Sequence, residues 1–266
     1  MREIYIVFFL LLALYGIVTW LQTNSFKSII LAVIGFTGTV FFHGAMIVGG
    51  LLFILIVSAI SLIRIFKSLK NYNLNYKSLI LSIIFLSTLG FYLIGNVNLP
   101  YLGTFKNSTD VKNLQHRTKV ATRGDASWPE WTKINSPIEM IYKGPVRSFY
   151  LIYAPFPWDV NKVKHLVGML DASLYMYLTY LILLNIKVIW RDPALRIIFL
   201  ILITYIFVFG IGVGNFGTGI RHRSKFVVLF ILLAGPMLKK FVFDKRNIIS
   251  KNNRNEFNIV NKNIHT

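Results

Sequence analysis

The chain contains no cysteine among its 266 residues. That excludes a disulfide framework, a thiolate metal site and a thiol nucleophile. Acidic residues are scarce as well: 10 Asp and Glu stand against 29 Lys and Arg, for a formal charge of +19. Only 15% of the residues are charged and 55% are hydrophobic, whereas a soluble domain carries about 25% charged and about 45–50% apolar residues. His-x-x-His and His-Glu clusters are missing, so no tightly bound metal and no cofactor is expected. Strands of alternating polarity are missing too, which sets aside an outer-membrane barrel.

What is present is a series of continuous apolar runs. Seven stand out: Ile4–Leu21, Ile29–Phe42, Met46–Ile63, Leu79–Val97, Leu166–Ile186, Ile197–Val213 and Phe226–Leu238. Several reach the roughly 18–20 residues that a helix needs to cross a bilayer. The expected class is therefore an all-α polytopic transmembrane protein of about seven membrane helices with one large periplasmic loop domain. The first run lacks a small-x-small cleavage site and reads as a retained span. Ile29–Phe42 is short, and a re-entrant hairpin is its alternative.

The Lys and Arg positions orient the bundle. RIFKSLKNYNLNYK at 64–77, KVIWRDPALR at 187–196 and the tail from Lys239 onward are all basic. With seven spans they fall on one side, the cytoplasmic one. This divides the chain into an N-terminal bundle (1–97), a periplasmic loop domain with an interfacial helix (98–165), a C-terminal bundle (166–238) and a basic, disordered cytoplasmic tail (239–266). The basic balance is accounted for by this orientation bias and by anionic lipid, and nucleic acid is not an expected partner.

One short link breaks the orientation rule. GNFGTGIRHRSKF at 214–226 packs Arg221, His222, Arg223 and Lys225 into five positions on the outer side. Two readings are open. In one, the link is an anion site: arginine forks suit phosphate, the glycines free backbone N–H groups, and Ser224 caps a helix starting at Phe226. In the other, the long side chains reach ordinary head groups.

The outer loop offers a second constellation. TRGDASWPEW at 122–131 groups Arg123, Asp125, Trp128 and Trp131, and APFPWD adds Trp158 and Asp159. Carboxylates beside open indole rings suit a carbohydrate, although Trp also collects at membrane interfaces without any ligand. Asp125 is a candidate general base, with an Arg123–Asp125 ion pair as the plainer alternative. PIEMIYKGPVRSFYLIY at 137–153 reads as an interfacial helix broken at Pro145, from which Arg147 could assist at the same head group. Asp171, near the start of the fifth run, is a functional candidate by default or a partner for a cation of 221–225. His43 reads as a turn residue.

TRGDASWPEW, YLIYAPFPWDV and GNFGTGIRHRSKFVVLFILLAGP together resemble a family of bacterial multi-pass proteins of surface-polysaccharide (O-antigen or exopolysaccharide) biosynthesis, described as polymerases or glycosyltransferase-like proteins. The Arg-His-Arg ahead of the last run also resembles the Arg-x-Arg found near the C-terminus of GT-C glycosyltransferases. The resemblance implies an inner-membrane protein that binds a polyprenyl-phosphate-linked saccharide at the periplasmic face. Arg221, Arg223, Lys225 and Arg147 would hold the phosphate, Arg123, Trp128, Trp131, Trp158 and Asp159 would contact the saccharide, and Asp125 and His222 would do acid/base work. Membrane lipids and other assembly proteins are the implied partners. A non-catalytic transporter or assembly partner is the alternative. Family members carry additional spans ahead of the position matching Met1, so a C-terminal fragment is also expected from the resemblance.

Overall fold

A computed structural model describes residues 2–69, 127–136, 138–160 and 162–237. The described residues are helical and contain no strand, apart from one isolated bridge between Ser127 and Asn215. The helices are α1 (Arg2–Thr23), α2 (Phe26–Phe42), α3 (Met46–Leu69), α4 (Glu139–Tyr153), α5 (Val163–Leu184), α6 (Ile186–Arg191), α7 (Pro193–Gly212), α8 (Phe216–Arg223) and α9 (227–237). Arg2–Thr23, His165–Leu184 and Pro193–Gly212 are long and apolar enough to cross a membrane; Phe26–Phe42 and Met46–Val57 are apolar but shorter. The expected fourth run, Leu79–Val97, and the tail from 239 lie outside the described residues.

α1 and α2 form a tight antiparallel hairpin. Asn24, at φ 54°, ends α1 in the left-handed conformation that asparagine tolerates, and its N–H donates to the Trp20 carbonyl at 2.8 Å. Glycines then let the two backbones touch. A Cβ on Gly35 would lie 2.4 Å from the Ala13 nitrogen, and one on Gly16 would lie 2.5 Å from the Ala32 nitrogen. Small residues at such crossings are how apolar helices associate without water to drive them together.

The α5–α7 turn is written plainly in the sequence. Asn185 interrupts α5, and its Nδ2 donates to the Leu233 carbonyl at 3.1 Å. Asp192 then caps α7, its Oδ1 accepting from the Ala194 and Leu195 N–H groups at 2.8 and 3.0 Å, with Pro193 in the first helical position.

α4 departs from expectation. It runs without a break through Pro145 and packs along the second half of α7. A Cβ on Gly144 would meet the Phe207 ring at 2.6 Å, and one on Gly210 would meet the Ser148 backbone at 2.8 Å. The partly buried Ser148 hydroxyl donates to the Gly144 carbonyl of its own helix at 2.9 Å. Residues of α1, α3, α4, α5, α7, α8 and α9 contribute to one continuous apolar core.

One end of the bundle collects the polar groups. There the start of α1, the α2–α3 turn, the end of α7 and α8 converge through the contacts of Glu3 with Arg221, His43 with His222, and Trp128 with Gly214.

Candidate functional site

From Phe216 onward the segment 214–226 is helical, not a glycine loop. Asn215, not Ser224, is its N-cap, with the side chain accepting from the Thr218 N–H at 2.8 Å. Ser224 lies inside a helical stretch that continues through a 3-10 turn into α9, and its hydroxyl donates to the Arg221 carbonyl at 2.9 Å. The cations therefore lie along a continuing helical stretch and not at a helix N-terminus. Gly219 serves close packing: a Cβ there would lie 3.9 Å from both the Leu151 carbonyl and the Trp128 ring.

A helix distributes four neighbouring cationic or ionisable side chains to different faces. Arg223, one turn on from Gly219, points between α4 and α5 and is wholly enclosed. Its Nε donates to Asp171 at 2.7 Å, its Nη1 to the Ile152 and Ala154 carbonyls at 2.8 and 2.7 Å, and its Nη2 to the Gly168 carbonyl at 3.0 Å and to Asp171 at 2.6 Å. All five guanidinium donors are used within the protein. The Tyr175 ring lies 5.3 Å from its Cζ. The geometry gives Arg223 the job of locking three elements together, and Asp171 is its counter-ion.

Arg147 does the same from α4. It is enclosed, with the Trp128 ring 5.1 Å from its Cζ. It donates to the carbonyls of Gly210 at 3.1 Å, Thr132 at 2.9 Å and Ile211 at 3.2 Å, and to that of Val213. Three of these end α7 without an intrahelical partner, so Arg147 is a C-cap supplied from another helix.

The remaining cations meet at the end of the bundle. Arg221 Nε donates to Glu3 Oε1 at 2.7 Å, and Lys225 Nζ lies 3.9 Å from the same oxygen. Lys225 Nζ also stands 2.8 Å from Nδ1 of His222. The rings of His43 and His222 are 5.4 Å apart, and Phe209 packs against both, at 5.4 and 4.8 Å. Lys225 sits 5.3 Å above that same Phe209 ring.

Burial sets the protonation here. Loss of water, followed by the charge of Lys225, holds His43 down to about 4. Burial, then Lys225, His43 and Arg221, hold His222 down to about 3. Burial brings Lys225 down to about 8, against the opposing pull of Glu3. Both imidazoles are thus neutral near pH 7. A neutral His222 accepts from the Lys225 ammonium at Nδ1 and carries its proton on Nε2. Among the described residues Arg221 and Lys225 share the one carboxylate of Glu3. Arg221 spends only its Nε on Glu3, and its side chain is 56% exposed. The junction therefore holds surplus positive charge with an open guanidinium edge.

Of the remaining expected residues, Arg123 and Asp125 lie outside the described residues. Trp128 is buried at 2% exposure, so its ring faces the core and not a ligand, and its Nε1 has no partner among the described residues. Trp131 and Trp158 are open, Trp158 stacked on Phe156 at 5.0 Å. Asp159 accepts from the Phe156 N–H at 3.1 Å and is a turn cap. Sequence reasoning did not single out Glu3, and it placed His43 only as a turn residue. The signals were an ion pair's half at the edge of the first apolar run and a histidine breaking the second.

Fold and junction together define a multi-helix protein with apolar, membrane-compatible helices and a cationic cluster at one end. No protein-family model, curated protein or solved structure matches the chain.

Proposed function

We propose that the chain is a multi-pass bacterial inner-membrane protein of surface-polysaccharide assembly, with its C-terminus cytoplasmic. It binds a polyprenyl-phosphate-linked saccharide at the periplasmic end of its helices and takes part in glycosyl transfer or polymerisation. The observation that carries this reading is the surplus of positive charge at the Glu3–His43–Arg221–His222–Lys225 junction, at the end of otherwise apolar helices. A lipid phosphate is the anion available at that depth. It would take the open edge of Arg221, with the fully enclosed Lys225 adding only its charge from behind, while two neutral imidazoles offer hydrogen bonds without further charge. Trp131 and Trp158 are the rings open to the C–H faces of a sugar. A phosphate-linked donor already carries a good leaving group, so orientation and charge neutralisation would be the protein's main contribution. Arg223 and Arg147 belong to the scaffold in this reading.

A second reading has an observation in its favour. Among the described residues Glu3 is the one carboxylate at the junction, and it is engaged by Arg221. A non-catalytic carrier-lipid binder or assembly partner needs no general base, whereas transfer would need one such as Asp125.

The test is binding and turnover in nanodiscs with a radiolabelled polyprenyl-pyrophosphate saccharide. Arg221→Glu is expected to lower affinity by about tenfold or more, and unchanged binding would remove the proposed site. Binding without transfer of label would select the second reading.

A further inference from the structure

Helix α4 is built the opposite way from a helix that floats on a membrane surface. Every charged side chain on it turns inward. Arg147 is enclosed, and Glu139 and Lys143 pair at 2.8 Å with side chains 19% and 17% exposed. Lys143 also donates to the Lys133 carbonyl at 2.5 Å, and Glu139 accepts from the Asn135 N–H at 2.8 Å. The exposed positions of α4 and its N-cap are Ile138, Ile141, Tyr142, Pro145 and Phe149. Their offsets of three, four, seven and eleven residues define one helical face. Ile138 and Ile141 are each 72% exposed, Tyr142 58% and Phe149 52%. A helix at the water boundary would show water its charges and keep these side chains covered.

Its neighbours fix the level at which it sits. α4 packs on Ile206, Phe207 and Gly210, and Tyr153 Oη lies 2.9 Å from the Thr179 hydroxyl. All four of those residues fall inside the candidate spans His165–Leu184 and Pro193–Gly212, while Arg147 and the last turn of α4 meet Val213, Gly219 and Arg223 just past the end of α7. The outward stripe of the neighbouring α5 is of the same character, with Val163, Leu166, Val167, Leu170 and Leu174 exposed.

We infer that α4 is sunk in the hydrocarbon layer as a re-entrant element, the stripe Ile138–Ile141–Tyr142–Phe149 lying against lipid acyl chains. In a medium without water, charges must be paired or hydrogen-bonded inside the protein. The Glu139–Lys143 pair and the carbonyl cage of Arg147 meet that demand. The stripe is made of branched and aromatic side chains, against which fluid acyl chains can pack. The non-helical residues 133–136 run back beside α4, tied to it by the Lys133 carbonyl and the Asn135 N–H, with Ile134 buried, and Asn135 and the Glu130 partner of Lys133 open at the aqueous edge of the element. This inference is independent of any ligand.

Because the chain has no cysteine, a single one can be placed without background. Ile141→Cys, Tyr142→Cys and Phe149→Cys are labelled with a small fluorophore and placed in nanodiscs, with Lys162→Cys as the control outside the helix. Lipids brominated at mid-chain are expected to quench the stripe positions at least twofold more than Lys162→Cys, and aqueous iodide to show the reverse order. Iodide quenching at the stripe equal to that at Lys162→Cys would return α4 to the surface and overturn the inference. Protection from both quenchers would also overturn it, because a protein partner would then cover the stripe. If one variant fails to fold, as judged by its elution profile, the other two on the same face still give the result.

Discussion

Arg223 and Asp171, fifty-two residues apart, meet at 2.6 Å beneath a carbonyl cage from α4 and α5. Removing the acid leaves an enclosed guanidinium without its counter-charge. Asp171→Asn is expected to destabilise the protein by about 3 kcal/mol, the low end of the cost of unpairing a buried charge because Asp171 is a third exposed. Arg223→Lys should not rescue function, since an ammonium with three donors cannot make the five contacts to four acceptors that the guanidinium makes. Thermal unfolding in detergent, compared across Asp171→Asn, Arg223→Met and the double variant, checks this. The double variant should be more stable than the sum of the single losses implies.

Arg147 makes a second prediction of the same kind. Arg147→Met orphans the Gly210, Ile211 and Val213 carbonyls at the end of α7. At about 1–3 kcal/mol for each buried acceptor left unmet, the loss should exceed that of Asp171→Asn. Hydrogen exchange should rise first in the residues that flank Gly210, with α1 and α2 unaffected.

At the α1–α2 crossing the backbones leave no room for a methyl group. Gly35→Ala places a Cβ 2.4 Å from the Ala13 nitrogen, so the helices must part. The expected cost is about 1–3 kcal/mol, as for overpacking elsewhere. Gly212→Ala, with nothing within 4 Å of its Cβ, is the control. Equal thermal midpoints for the two variants would refute the close crossing.

The imidazoles predict a pH dependence. Their folded values, about 4 for His43 and about 3 for His222, lie below the ordinary 6.5. The unfolded chain therefore takes up protons first on acidification. Stability from this source is complete above about pH 6.5 and is lost as the pH falls through about 4 for His43 and about 3 for His222. Denaturant melts between pH 7 and 4 should show this decline, and the pair His43→Gln, His222→Gln should flatten it. A slope unchanged by the double variant would mean that the carboxylates carry it instead.

The helical, membrane-compatible class was legible in composition and run length, because lipid-facing and core-facing residues are both apolar and leave long uniform stretches. The start of α7 had a local signal, Asp192-Pro193 ahead of an apolar helix, although the apolar run alone put its beginning at Ile197. Asp171 was correctly a candidate partner for the cation cluster. The shape of the cluster was not legible. Three glycines in GNFGTG suggest a loop, but Gly219 is there so that α8 can approach Leu151 and Trp128, a reason that exists only once α4 is in place. Nor does spacing along the chain reveal that Arg221, His222 and Lys225 turn one way and Arg223 the other, or that Glu3 arrives from 218 positions away. The interfacial reading of α4 rested on its charges, whose inward direction is a property of the packed structure.

From Phe216 through residue 237 the backbone stays helical, and this gives the molecule a mechanical axle. Lys225 rides near the middle of it; Leu233, about 12 Å further along at 1.5 Å per residue, is gripped by Asn185 where α5 bends into α6. Through this contact the helix couples the cationic cluster mechanically to the α5–α6 bend.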